Sequence, residues 1–190
     1  MINPIFSAAL VAAASLSCLH TQAEALPQEL RSTLPGATLS GRARMTFWGF
    51  DVYQATLWVA PGFVDSAFEQ STFALELHYL RDFKGADIDR SSIVEMQRQT
   101  PMTLAQESAW EGQMRALFPD VKAGDRITGV HQPTTGAVFW SNGRLLGEVR
   151  DLAFARQFFG IWLSAQTSEP PLRRALLASA KTSAPDGIAP

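Results

Sequence analysis

Arg42 and Arg44 are the residues whose type and spacing first suggest chemistry. They stand two apart in Thr38 to Phe47, a stretch with no other charge in which polar and apolar residues alternate. Such a period of two marks a half-buried strand, and residues two apart project from the same face. The next stretch, Phe50 to Ala60, reads as the return strand of a hairpin and carries two hydroxyl groups, Tyr53 and Thr56, within an apolar run. If helices cover the face bearing the arginines, each guanidinium is largely removed from water, and a buried cation is costly unless paired. Its partner is then a carboxylate, either Glu76 or Asp82 of this chain or one on a ligand; otherwise the arginines are solvated. The planar fork of Arg suits a ligand carboxylate, to which it gives two parallel hydrogen bonds. An apolar cleft ending in an Arg and a Tyr would suit an acyl chain with an anionic head.

Other chemistries find less support. Beyond residue 25 the only histidines are His78 and His131, in separate expected strands, and neither has a second ligand at a familiar metal spacing. Glu76 and His78 share a strand face, but a surface pair is the simpler reading, and no metal or cofactor is expected. No G-x-S-x-G elbow and no phosphate-binding glycine loop occurs. Asp87 and Asp89 lie at an expected helix start, where they complement the dipole. The formal charge of −2 offers no basic field for nucleic acid.

These groups need elements to hold them. The hairpin is followed by a third strand, Phe73 to Leu80, with Phe73, Leu75, Leu77 and Tyr79 on one face and Glu76 and His78 on the other. The period then lengthens, giving helices over Asp87 to Gln99 and Thr103 to Phe118, the second with Thr103 as N-cap. Strands return at Asp125 to Gln132, Gly136 to Trp140 and Arg144 to Val149. Asn142-Gly143 tolerates the positive φ of a tight hairpin between the last two. Asp151 caps a helix through Trp162, and a last helix runs from near Ser168 to near Ala178, with Pro170 and Pro171 in its first turn. Leu26 to Leu34 holds one short helical turn. Strands, two helices, a strand meander and two more helices make an α+β layer, an antiparallel sheet with helices on one face. Length and the 46% hydrophobic content suit one domain with a sizeable core.

The amino terminus reads as an export signal, residues 1–25. Ile5 to Leu19 is apolar and uncharged, and Ala23-Glu24-Ala25 offers a small-x-small cleavage site. No Lys or Arg precedes the run, and it is shorter than the roughly 20 residues a span needs. Cleavage after Ala25 leaves residues 26–178 as the domain and 179–190 as a flexible tail, with no membrane span. It also removes the one cysteine, Cys18, whose surroundings fit a lipid-attachment site less well. The expected location is the periplasm.

Five segments in order resemble the chalcone isomerase-like family, in particular its short exported bacterial branch. They are Gly41-Arg42-Ala43-Arg44, the run Phe50 to Val59, the strand and its end from Ala74 to Phe83, Gly124-Asp125-Arg126-Ile127 with the Asn142-Gly143 hairpin and Gly147, and the closing segments 158–163 and 172–177. The resemblance spans about residues 34 to 178. It implies an open-faced β-sandwich of the chalcone isomerase type, with a ligand cleft between sheet and helices. Plant enzymes of the family close a chalcone's phenol onto its enone without a cofactor; related plastid members bind fatty acids, whose carboxylate an Arg and a Tyr hold. Arg44 matches the motif arginine of both groups, and Tyr53 or Thr56 lies where a second hydroxyl belongs.

The enzymes also carry a Tyr, a Lys and an Asn on the helix after the third strand, and residues 85–94 contain none of these. Without them the carbonyl polarisation that cyclisation needs is lost. The expectation is therefore a periplasmic, non-catalytic protein that binds a small amphipathic carboxylate such as a fatty acid through Arg44 and Tyr53, with Thr56 and Arg42 beside them. The alternatives are a cofactor-independent isomerase acting on an enone, and an interaction protein whose cleft is filled by Phe154, Phe158, Phe159 and Trp162.

Overall fold

The computed structural model describes residues 26–180. The expected leader with Cys18, and residues 181–190 of the expected tail, lie outside the described residues. Among the described residues five α-helices and six strands follow one another: α1 (Gln28–Thr33), β1 (Thr38–Phe47), β2 (Phe50–Val59), β3 (Phe73–Tyr79), α2 (Gly85–Gln99), α3 (Leu104–Leu117), β4 (Arg126–Gln132), β5 (Gly136–Ser141), β6 (Arg144–Val149), α4 (Leu152–Leu163) and α5 (Pro170–Leu176). A 3-10 segment, Asp65–Gln70, lies between β2 and β3 where no element was expected. It is too short to show a helical period, and only Phe68 in it is buried.

The strands form one antiparallel sheet in chain order, β1 to β6. Each pairs with its sequence neighbour, so the α2–α3 excursion leaves and returns to adjacent strands. This is the α+β arrangement read from the pattern. Local signals set the helix ends. Thr103 accepts from the Gln106 amide while the Gln106 side chain accepts from the Thr103 amide, and Asp151 accepts from the amides of Ala153 and Phe154. Both satisfy amides that a first helical turn leaves without partners.

The two faces of the sheet differ. On one, Ala55, Leu57, Phe73, Leu75, Leu77, Ile127 and Phe139 meet α2 to α5 in the main core, where Phe154, Phe158, Phe159 and Trp162 of α4 are all buried. Gly129 of β4 makes room for this packing: a Cβ there would sit 3.0 Å from the Phe139 ring and 3.1 Å from that of Phe159. On the other face, Trp58, Ala74 and Val130 pack under Leu30 and Leu34, so α1 covers part of what would otherwise be open sheet. The short amino-terminal turn is thus a lid on the back of the sheet.

β1 is an edge strand, and α5 closes against it. A register shift between Leu39 and Gly41 sets Ser40 apart. The Ser40 hydroxyl donates to the Leu176 carbonyl at 2.9 Å and its carbonyl accepts from the Ser179 amide at 2.9 Å. A Cβ on Gly41 would lie 2.0 Å from the Ala175 carbonyl, so only glycine admits this approach. Ser179, assigned from sequence to the tail, is therefore tied to the sheet. No helix among the described residues is long and apolar enough to cross a membrane.

Candidate functional site

The four residues singled out from sequence divide between the two faces. Arg42 and Arg44 share a face, as their spacing requires, but it is the face away from α2 to α5. Arg42 lies opposite Thr56 and Arg44 opposite Gln54, whereas Met45 lies opposite Tyr53. Tyr53 and Thr56 are three residues apart on one strand and so point to opposite sides. The expected cleft with Arg44 and Tyr53 at its end is not formed. Arg44 is 55% exposed, and its Nη1 donates at 2.8 Å to Asp51 Oδ2 on the same hairpin. Neither Glu76 nor Asp82 takes that place; Asp82 accepts from the Ala123 amide.

Tyr53 does face the helices. Its hydroxyl accepts from Trp162 Nε1 at 2.9 Å, and its ring stands edge-on to Tyr79 with centroids 6.2 Å apart. Burial pushes the Tyr53 phenol up to about 12, against a smaller lowering by the Trp162 bond. Burial raises the Tyr79 phenol as well. Neither ring supplies a phenolate near neutral pH. Below them the seam between sheet and α4 is filled: Leu75, Leu77, Ile127 and Phe139 face Phe158, Phe159 and Trp162 around a void of about 20 Å³. That is on the scale of one water molecule, where a drug-sized ligand needs about 300 Å³ or more. The rings interlock edge-to-face, Phe139 on Phe158 at 5.2 Å and Phe158 on Trp162 at 5.5 Å.

The back face holds a polar row that sequence reading did not assemble. The strand registers align Arg42, Thr56, Glu76 and Thr128 across four strands. Thr128 donates to Glu29 Oε1 of α1 at 3.0 Å. Glu76 is only 4% exposed. Burial raises its carboxyl; the charges of Arg126, 4.0 Å away, and of Arg42 pull it down, while Glu29 raises it. Arg42, itself exposed, thus stands at the outer end of a row whose buried member is Glu76. No local signal marked Glu76 as buried, because an antiparallel sheet commonly leaves one face to water and only the docking of α1 covers this part of it.

One further expectation needs correction. Asp87 lies in the first turn of α2, where it complements the dipole, but Asp89 lies beyond it, 0% exposed with no hydrogen bond to either carboxylate oxygen. His131 is a core residue, stacked 4.8 Å from Phe73, with Nδ1 2.8 Å from the Ser71 carbonyl. Burial lowers its pKa, so it is neutral and Nδ1–H donates that bond. Among the described residues no three His, Cys, Asp or Glu side chains come together to hold a metal. An open groove of about 470 Å³ is lined by Asp65 and Glu69 of the 3-10 segment, Arg156 of α4 and Arg173 of α5.

This architecture has known counterparts. A solved Arabidopsis thaliana fatty-acid binding protein is similar in fold, with a TM-score of 0.60 over 75% of this chain and 87% of that one, at 11% sequence identity. No curated protein matches the sequence. The family model described as chalcone isomerase-like matches residues 22–178, nearly all of what the structure describes. The chain belongs to the chalcone isomerase-like family.

Proposed function

We propose that this chain works by binding and not by turnover, as an exported, periplasmic interaction protein whose sheet–helix seam is filled by its own side chains. One observation carries this: the seam retains about 20 Å³, and the Tyr53 hydroxyl on the same face of the sheet is already engaged by Trp162, one of the residues that fill it. General acid–base work needs a titrating group within hydrogen-bond reach of a substrate, and an apolar seam of this size admits neither. The absence of Tyr, Lys and Asn from residues 85–94 supports the same reading. Export rests on the apolar run Ile5 to Leu19 and the Ala23-Glu24-Ala25 triplet. Incubation of the purified protein with chalcone and with a simple enone is the test. Rates equal to buffer are expected; turnover above buffer that Tyr53→Phe abolishes would refute the proposal.

Carriage of a fatty acid is the second reading. The fold it shares with the Arabidopsis fatty-acid binding protein favours it, as does a seam whose lining is wholly apolar. Its ligand would have to displace Phe158 and Trp162, and Arg44 would not hold its head. Calorimetry of delipidated protein with palmitate decides: heat that saturates at one equivalent supports carriage, and no heat leaves the filled seam as the working state.

A further inference from the structure

The tip of the β1–β2 hairpin is built against the usual preferences of both turns and surfaces. Phe47, Trp48 and Phe50 are 62%, 86% and 60% exposed, three large aromatic rings within four residues. Trp48 holds φ +51°. The other tight hairpin of the sheet places Asn142 at φ +50° in the equivalent position, the residue type that tolerates it. A bulky side chain gains nothing locally from that conformation. Backbone strain kept at an exposed position points to a use for the side chain.

The surroundings of the tip define its partner. The segments at this end of the sheet, 44–51, 80–84, 119–126 and 141–144, hold six basic side chains against four acids. They are tied into one rim: Phe83 bridges to Val121, Ala123 bonds to Asp82, and Asn142 bonds to both Asp125 and Arg126. All four acids are committed within the rim. Asp51 pairs with Arg44, Asp120 with Lys84, Asp82 accepts from an amide, and Asp125 accepts from Lys122 N and from Asn142. The rim's own segments thus carry a small positive excess, partly offset by Glu76, 4.0 Å from Arg126, and by Glu29, which approaches Gly143 from the back face. Arg81 stacks 4.8 Å from the Phe50 centroid and sets a guanidinium against that ring.

We propose that this tip seats the end of the sheet on a lipid surface carrying anionic headgroups. Trp and Phe rings settle at the level of the headgroups, where apolar area is buried while the indole N–H stays hydrated. Basic side chains one layer behind add attraction to an anionic leaflet. The inference concerns the hairpin tip alone and does not depend on how the seam is used.

Flotation of the full chain with vesicles of phosphatidylcholine alone, and of phosphatidylcholine with one quarter phosphatidylglycerol, tests it. The wild type is expected to float with the mixed vesicles, less with neutral ones and less at high salt. Trp48→Ala combined with Phe50→Ala should weaken binding about tenfold or more, with far-ultraviolet circular dichroism unchanged because both rings are exposed. Brominated lipid should quench the indole emission of the wild type and leave that of Trp48→Phe largely unaffected. Failure to float with either vesicle, equal binding to neutral and anionic vesicles, or binding undiminished in the double variant overturns the proposal. So does sedimentation showing a dimer that the double variant dissolves without any vesicle binding, since the tip would then pair two copies of the chain.

Discussion

Asp89 lies in α2 with no exposure and no hydrogen bond to either oxygen, and burial pushes its carboxyl up from 3.8 to about 6. From the facing helix α3 the Arg115 charge lowers it and that of Glu111 raises it. Because the folded value is the higher one, the folded state holds its proton more tightly than the unfolded chain. The group therefore costs nothing below about pH 4, and its cost grows as pH rises to about 6 and stays level above. A shift from 3.8 to about 6 corresponds to about 3 kcal/mol at roughly 1.4 kcal/mol per unit. Relaxation and water entry reduce such penalties in real proteins, so about 1–2 kcal/mol is expected. Urea unfolding of the wild type and of Asp89→Asn at pH 4, 5, 6, 7 and 8 is the assay. The variant keeps the size and the polarity but cannot ionise, so its stability relative to the wild type should rise by about 1–2 kcal/mol between pH 4 and pH 8. A difference that does not change with pH over that range would mean that the buried carboxylate is stabilised by something else, and would refute the reasoning.

Three further outcomes follow from the same geometry. Phe159→Ala, at a fully buried ring packed on Phe73, His131 and Phe139, should cost about 3–5 kcal/mol in urea unfolding; a cost below about 1 kcal/mol would mean that the seam collapses freely around the loss. Arg44→Ala breaks only an exposed pair and should change stability by less than about 1 kcal/mol, leaving any palmitate heat in calorimetry unaltered. Trp48→Asn places a tolerant residue at φ +51° and should raise the unfolding free energy in urea by about 1 kcal/mol at most; a lower value would show that the ring makes stabilising contacts.

The Tyr53–Trp162 bond shows how far a one-dimensional reading reaches. That α4 is a capped helix with four aromatic residues on its buried side was legible, because Asp151 and the spacing of Phe154, Phe158 and Trp162 are local facts. That one of those indoles would meet a hydroxyl 109 residues earlier was not, because no periodicity encodes a contact between separate elements. Asp89 shows the same limit from the other side. Its place near a helix start suggested a partner of the dipole, and only the packing of α3 and α4 against α2 could show that it is buried.

Strand parity was available from the sequence alone. Residues 42 and 44 must share a face and residues 53 and 56 must not, since side chains along a strand alternate with a period of two. The strands, the tight Asn142-Gly143 turn, the Thr103 and Asp151 caps and the α+β order follow from equally local rules and stand where they were read. Which face the helices would cover was decided only by the folded chain. The registers between β1, β2 and β3, the shift at Ser40 and the docking of α5 on the edge strand turn Tyr53 inward and Arg44 outward to Asp51. Burial is a property of what comes to lie on top, and that is set by contacts between residues far apart in the chain.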